Sequence, residues 1–155
     1  MILYLDASAM VKRYVAEPGS AQVNEAISKA ELAGTALISR AEIAAALAKA
    51  VRVDALTQEE ALASLQVFRE EWTDLVRVQV TEMVVARADA FAWEHGLRGY
   101  DAVHLAAASL WQDAMSERVT LSTFDRRLWM AAGRVGLALH PVDLPALLDE
   151  WRATR

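Results

Sequence analysis

Four acidic residues stand where chemistry could be done: Asp6, Glu42, Asp101 and Asp125. Asp6 ends the apolar run Ile2-Leu3-Tyr4-Leu5, and Glu42 follows Ser39-Arg40-Ala41. Asp101 opens the alanine-rich stretch Ala102-Val103-His104-Leu105-Ala106-Ala107-Ala108, and Asp125 closes Leu121-Ser122-Thr123-Phe124. Carboxylates held close together repel and raise one another's pKa unless a cation neutralises them. Hard oxygen donors select Mg2+ or Mn2+, with waters completing the octahedron. The reaction that suits such a site is phosphodiester hydrolysis: one ion lowers the pKa of the attacking water and a second can stabilise the leaving oxygen. Taken singly, Glu42, Asp101 and Asp125 are more simply read as helix-start acids, favoured by capping and by the helix macrodipole. Asp6 resists that reading. An acid ending a central strand faces burial, which is costly without a cation or hydrogen-bond donors.

The separations between these acids are large, so only a fold can bring them together. Ile2–Leu5 reads as a buried strand, followed by helical patterns over Ala9–Val15 and Ala21–Ala30 with a Pro18-Gly19-Ser20 break between them. Thr35–Ser39 is the second strand candidate and Ala41–Val53 the next helix. Thr57 and Glu60 have capping-box spacing at the start of a helix that runs to about Trp72. Leu75–Val80 alternates as a half-buried strand should. Glu82–His95 and Tyr100–Asp113 are helical, Val119–Thr123 a strand, Arg126–Arg134 a helix and Leu137–Val142 a last strand. Strands alternating with helices predict a single-domain α/β three-layer sandwich around a mostly parallel sheet of about five strands. Such a sheet gathers its ligand site beyond the carboxyl ends of its strands. All four acids lie near such ends or at the helix starts that follow.

Composition narrows the field. The 155 residues carry 16 basic and 21 acidic side chains, a net charge of −5, so net positive charge is not how this chain would grip nucleic acid. There is no cysteine, hence no disulfide, thiolate zinc site or cysteine nucleophile. No apolar run approaches the ~18 residues of a spanning helix, and no basic segment precedes the first apolar run as in a secretory signal. A cytoplasmic protein with no membrane role is the expectation. His95, His104 and His140 lack metal-ligand spacing; His104, one turn after Asp101, reads as a structural histidine sooner than a site residue. Arg13, Arg40, Arg98, Arg126 and Arg127 flank the acids, and Arg40 and Arg98 are the candidates for holding the phosphates of a phosphodiester substrate. The five tryptophans read as core or interface residues, and no Gly-rich phosphate loop is present.

Four segments together resemble the PIN-domain ribonucleases of the VapC type, the toxin half of toxin–antitoxin pairs. They are Leu3-Tyr4-Leu5-Asp6-Ala7-Ser8, Ser39-Arg40-Ala41-Glu42, Gly99-Tyr100-Asp101-Ala102-Val103-His104-Leu105-Ala106-Ala107-Ala108 and Thr123-Phe124-Asp125-Arg126-Arg127-Leu128. Each segment alone is weak; their order and spacing over nearly the whole chain is specific. Phosphatases of the haloacid type also end a first strand in Asp, but they resemble Asp-x-Asp there, and this chain has Ser8 in the third position.

The resemblance implies a PIN-like sheet of order 3-2-1-4-5. It also implies that Asp6, Glu42, Asp101 and Asp125 bind one or two Mg2+ or Mn2+ ions and hydrolyse RNA through metal-activated water. By the same resemblance Ser8 and Thr123 orient carboxylates or waters from behind. A cognate antitoxin is the implied partner, with helices of the first half, including Ala41–Val53, forming part of its groove, and the toxin is expected as a homodimer. Other readings stay open at this point: a non-catalytic PIN module that binds an antitoxin or RNA, or a PIN nuclease acting on DNA, or on RNA outside a toxin system.

Overall fold

A computed structural model describes residues 1–155. The elements run β1 (Ile2–Leu5), α1 (Ala7–Tyr14), α2 (Ser20–Lys29), β2 (Leu32–Ala36), α3 (Ser39–Arg52), α4 (Gln58–Glu71), a 3-10 turn (Trp72–Asp74) and β3 (Val76–Val78). They continue as α5 (Glu82–His95), α6 (Gly99–Met115), β4 (Val119–Ser122), α7 (Arg126–Arg134), β5 (Ala138–His140) and α8 (Leu144–Ala153). All four strand pairings are parallel, and the sheet order is β3-β2-β1-β4-β5. The expected α/β sandwich and its strand order are therefore borne out.

β1 sits in the middle, with all four of its residues buried. Residues alternate across a strand, so Ile2 and Tyr4 pack with α5, α6 and α7, whereas Leu3 and Leu5 pack with α1, α2, α3 and α4. Asp6 continues the parity of Ile2 and Tyr4. On that face, Ala106, Ala107 and Ala108 of α6 are fully buried. Gly34 of β2 has a specific reason to be glycine. A Cβ there would lie 2.9 Å from both the Trp111 ring and the Val76 carbonyl oxygen.

Several boundaries differ from the sequence reading. β2 spans Leu32–Ala36 and not Thr35–Ser39. The chain turns at Leu37-Ile38 because Thr35 donates to the Leu5 carbonyl (2.6 Å) and shares a 2.6 Å hydrogen bond with Ser39, tying the strand end to the helix start. α1 begins two residues earlier than expected, since Asp6 itself caps it through Ala9 N–H. The capping box of Thr57 and Glu60 forms as its spacing predicts.

α8 follows the last expected strand and is an addition to the predicted elements. Asp143 caps it and Pro145 sits in its first turn, the start signal its sequence carries. Trp151 of α8 stacks on Phe124 at 5.9 Å, with the Lys12 ammonium 4.7 Å from the Phe124 ring centre. That packing braces the turn that carries Asp125. Trp72 and Trp111 are buried and Trp129 donates to the Pro141 carbonyl oxygen, but Trp93 is 93% exposed. No helix is long and apolar enough to cross a membrane.

Candidate metal centre

The β1–β4 register builds the site's floor. Leu5 pairs with Ser122, so the next residues, Asp6 and Thr123, emerge side by side at the carboxyl ends of the two central strands. Asp6 is fully buried. Its Oδ1 accepts from Ala9 N–H (2.9 Å) and Ser8 Oγ (2.8 Å), and its Oδ2 accepts from Thr123 Oγ1 (2.6 Å). Burial pushes its carboxyl up from the ordinary range, while the nearby His104 and these donors pull it down.

Ser8 and Thr123 also reach the Asp125 turn. Ser8 Oγ accepts from Phe124 N–H (3.0 Å), and Thr123 Oγ1 accepts from Asp125 N–H (3.1 Å). Each hydroxyl thus donates to the first acid and accepts from the backbone beside the last. Thr123→Val keeps shape and loses both links. It is expected to lower divalent-ion affinity and cleavage about 10–100-fold, with Thr123→Ser close to the unsubstituted protein. Equal activity of all three proteins would show that the hydroxyl orients nothing.

Asp125 caps α7, its Oδ1 accepting from Leu128 N–H at 2.8 Å. Asp101 lies in the first turn of α6, half-buried, and no hydrogen bond supports its charge. Its carboxyl is pushed up to about 6 by burial and then by the negative charges of Asp125 and Asp6; His104 and Arg98 pull in the opposite direction. Asp101 therefore lies within reach of the charges of two of the other three acids. A cavity of about 400 Å³ opens beside them, lined by Asp101, Asp125, Arg98, Arg126, Arg127 and Met130. Arg127 is anchored there by donating to the Gly96 carbonyl oxygen at 3.2 Å.

Glu42, in the first turn of α3, stands at the neighbouring edge. Its Oε1 is 2.7 Å from His104 Nε2, and it lines a separate hollow with Ile38, Ala41, Ala45 and Tyr100. Arg40 is not brought to the acid cavity. Its guanidinium lies 6.0 Å from the Trp72 ring centre, over a groove between α3 and α4. His104, whose one-turn spacing from Asp101 reads as structural sooner than as part of a site, is both a core residue and a partner of Glu42. Arg126 and Arg127, which follow Asp125, share the cavity with Arg98.

The donor set suits Mg2+ or Mn2+ in a particular way. No three Asp, Glu or His side chains converge closely enough to cage an ion. Mg2+ does not ask for a cage: it keeps several waters and is typically held by one or two carboxylates. Asp101 and Asp125 on an open cavity wall, with buried Asp6 behind them, fit that habit. A closed tetrahedral ligand set does not exist here.

The chain belongs to the PIN-domain family, whose model matches residues 3–133, and its relatives there are VapC proteins. It is 33% identical over 143 residues to ribonuclease VapC45 of Mycobacterium tuberculosis, covering 92% of this chain and 97% of that one. It is 34% identical over 110 residues to ribonuclease VapC3 of Pyrobaculum aerophilum, covering 70% and 82% of the two chains. Among solved structures, VapBC2 of Rickettsia felis, bound to a DNA fragment from its promoter, shares the fold. The TM-score is 0.62 at 18% identity, over 90% of this chain and 98% of that one.

Proposed function

We propose that residues 1–155 form one PIN domain acting as a Mg2+- or Mn2+-dependent endoribonuclease, the toxin of a toxin–antitoxin pair. The observation that carries this reading is the placement of Asp101 and Asp125 on one cavity with Arg98, Arg126 and Arg127, with buried Asp6 near enough to help raise the Asp101 carboxyl. Acids alone would repel a polyanion; acids with a divalent ion and an arginine rim receive one. The ion, when bound, supplies positive charge at the phosphorus and lowers the pKa of water. Asp101, Asp125 and Asp6 would hold it, with Glu42 as the fourth acid. Arg98, Arg126 and Arg127 can place phosphate oxygens by paired N–H donors. No side chain need act as a covalent nucleophile, and the chain has no cysteine that could.

The partners are read from two apolar surfaces. A groove of about 310 Å³ between α3 and α4, lined by Leu47, Val51, Leu62 and Leu65, would take an apolar segment of the cognate antitoxin. The names of the relatives and the toxin–antitoxin assemblies among the structural neighbours support that partner. A second surface, about 480 Å³, joins Val85, Ala92, Tyr100 and Val103 of α5 and α6, with Asp89 and Arg98 at its border. Opposite charges on one apolar face suit pairing with a second copy.

RNA cleavage by the purified protein tests the core of the reading. Cleavage is expected with Mg2+ or Mn2+, to stop in EDTA and to return when the ion is restored. Cleavage of RNA that persists in EDTA, or binding of RNA with no cleavage under any divalent ion, would sink it. A small antitoxin-like coding sequence next to this one would carry the toxin role.

A further inference from the structure

His104 and Tyr4 form a buried polar chain that leads to one place. Both side chains are within 1% of complete burial. Tyr4 Oη lies 2.7 Å from His104 Nδ1, and His104 Nε2 lies 2.7 Å from Glu42 Oε1. The carboxylate can only accept, so Nε2 carries the imidazole hydrogen and donates it. A neutral imidazole then has Nδ1 free to accept, and the Tyr4 hydroxyl donates to it. All the hydrogen bonds point the same way, from Tyr4 through His104 to Glu42.

Packing does not require any of these polar atoms. Phe at 4 and Leu at 104 would fill nearly the same volume between β1 and α6 with no polar group to satisfy. The aromatic contact of the two rings, at 5.8 Å and nearly edge-on, needs neither the hydroxyl nor the imidazole nitrogens. What the polar chain does supply is a fixed orientation for one carboxylate, that of Glu42 in the hollow next to the acid cavity. With Oε1 bound to His104, Oε2 remains as the open oxygen of Glu42.

We propose that Tyr4 and His104 are positioning residues: by holding Glu42 through Oε1, they present the fourth acid to a divalent ion through Oε2 alone. This rests on the metal-dependent reading given above. It adds two residues that themselves touch neither ion nor RNA, and it assigns the direction of every hydrogen bond between them.

The test combines imidazole nitrogen NMR of the metal-free protein with Mn2+ titration calorimetry, neither of which depends on turnover. NMR is expected to show His104 protonated on Nε2, with Tyr4→Phe admitting the other tautomer. Mn2+ affinity is expected to fall about 10–100-fold in His104→Leu. His104→Gln, which can keep an N–H toward Glu42, should recover most of it. In a Glu42→Gln background, His104→Leu should cost nothing further, because its route to the ion is already gone. The paired variant Tyr4→Phe/His104→Leu repeats the measurement with an apolar, well-packed interior if the single variant does not fold.

An Nδ1-protonated His104 overturns the proposal. So does Mn2+ affinity unchanged in His104→Leu, or a loss that multiplies with that of Glu42→Gln. Failure of the unsubstituted protein to bind Mn2+ overturns the metal reading and this proposal together, whereas the other outcomes leave the metal reading standing.

Discussion

Asp6→Asn is expected to abolish RNA cleavage, by about a thousandfold or more, while the protein stays folded. A bound ion's stabilisation of the transition state amounts to several kcal/mol, and each 1.36 kcal/mol is tenfold in rate. Removing the buried charge behind that ion forfeits most of it. The fold survives for three local reasons. Asn caps a helix as well as Asp does, so Ala9 N–H keeps an acceptor. The Asn carbonyl oxygen can still take the Ser8 hydroxyl. The amide that replaces Oδ2 can donate to Thr123 Oγ1, whose hydrogen is free to rotate. Burying a neutral amide is also cheaper than burying a carboxylate. Cleavage assays beside thermal melts followed by circular dichroism check both halves. A folded Asp6→Asn protein that retains even a tenth of the activity would remove Asp6 from the catalytic set.

Asp101→Asn should produce effects of opposite sign on activity and on stability. Cleavage is lost with the ligand, yet the metal-free protein becomes more stable at neutral pH. Asp101 ionises at about 6 in the folded chain against 3.8 as its ordinary value. Between those values the folded state holds a proton that the unfolded state has released. Stability therefore falls as pH rises through this window, and the deficit is complete above about pH 6. Asp6, also raised by burial, adds to the same slope. Discounted for the half-exposed position of Asp101, its share is on the order of 1 kcal/mol, or about 2–4 °C in melting temperature for a chain of this size. Melting curves in EDTA from about pH 4 to pH 8 should show a flatter profile for Asp101→Asn than for the unsubstituted protein. Mg2+ should raise the melting temperature of the latter and much less that of the variant. A variant that melts lower at every pH would mean that Asp101 is not crowded by its neighbours.

Much of the architecture was legible because the signals were periodic. β1 is a continuous apolar run, α5 and α6 are long helical patterns, and Thr57-Glu60 announces its own helix start. The errors fell where local chemistry overrode the pattern. Thr35 and Ser39 both have hydroxyls that suit a strand or a turn, and their mutual hydrogen bond decided for the turn. α8 lies beyond the last element expected from the sequence, although Asp143 and Pro145 mark its start and Leu144, Leu147, Leu148 and Trp151 have helical spacing.

The acids were legible as a set through their place at strand ends, and the family resemblance turned that place into a testable site. Their grouping into unequal parts was not legible. Asp101 feels the charges of Asp125 and Asp6, whereas Glu42 is engaged by His104 in the next hollow. Nor could spacing distinguish Arg40, which lies over Trp72, from Arg98, which shares the acid cavity with Arg126 and Arg127.

The sequence by itself determined the α/β order and offered the candidate acids, since apolar periodicity and residue type are properties of the chain alone, and the family resemblance added the central place of β1. Only the tertiary structure decided which side chains meet. The Leu5–Ser122 register sets Thr123 against Asp6, and the packing of α6 on β1 sets His104 between Tyr4 and Glu42. Contacts across about a hundred residues depend on strand register and helix rotation. A shift of one residue in either would turn a buried donor away from its acceptor.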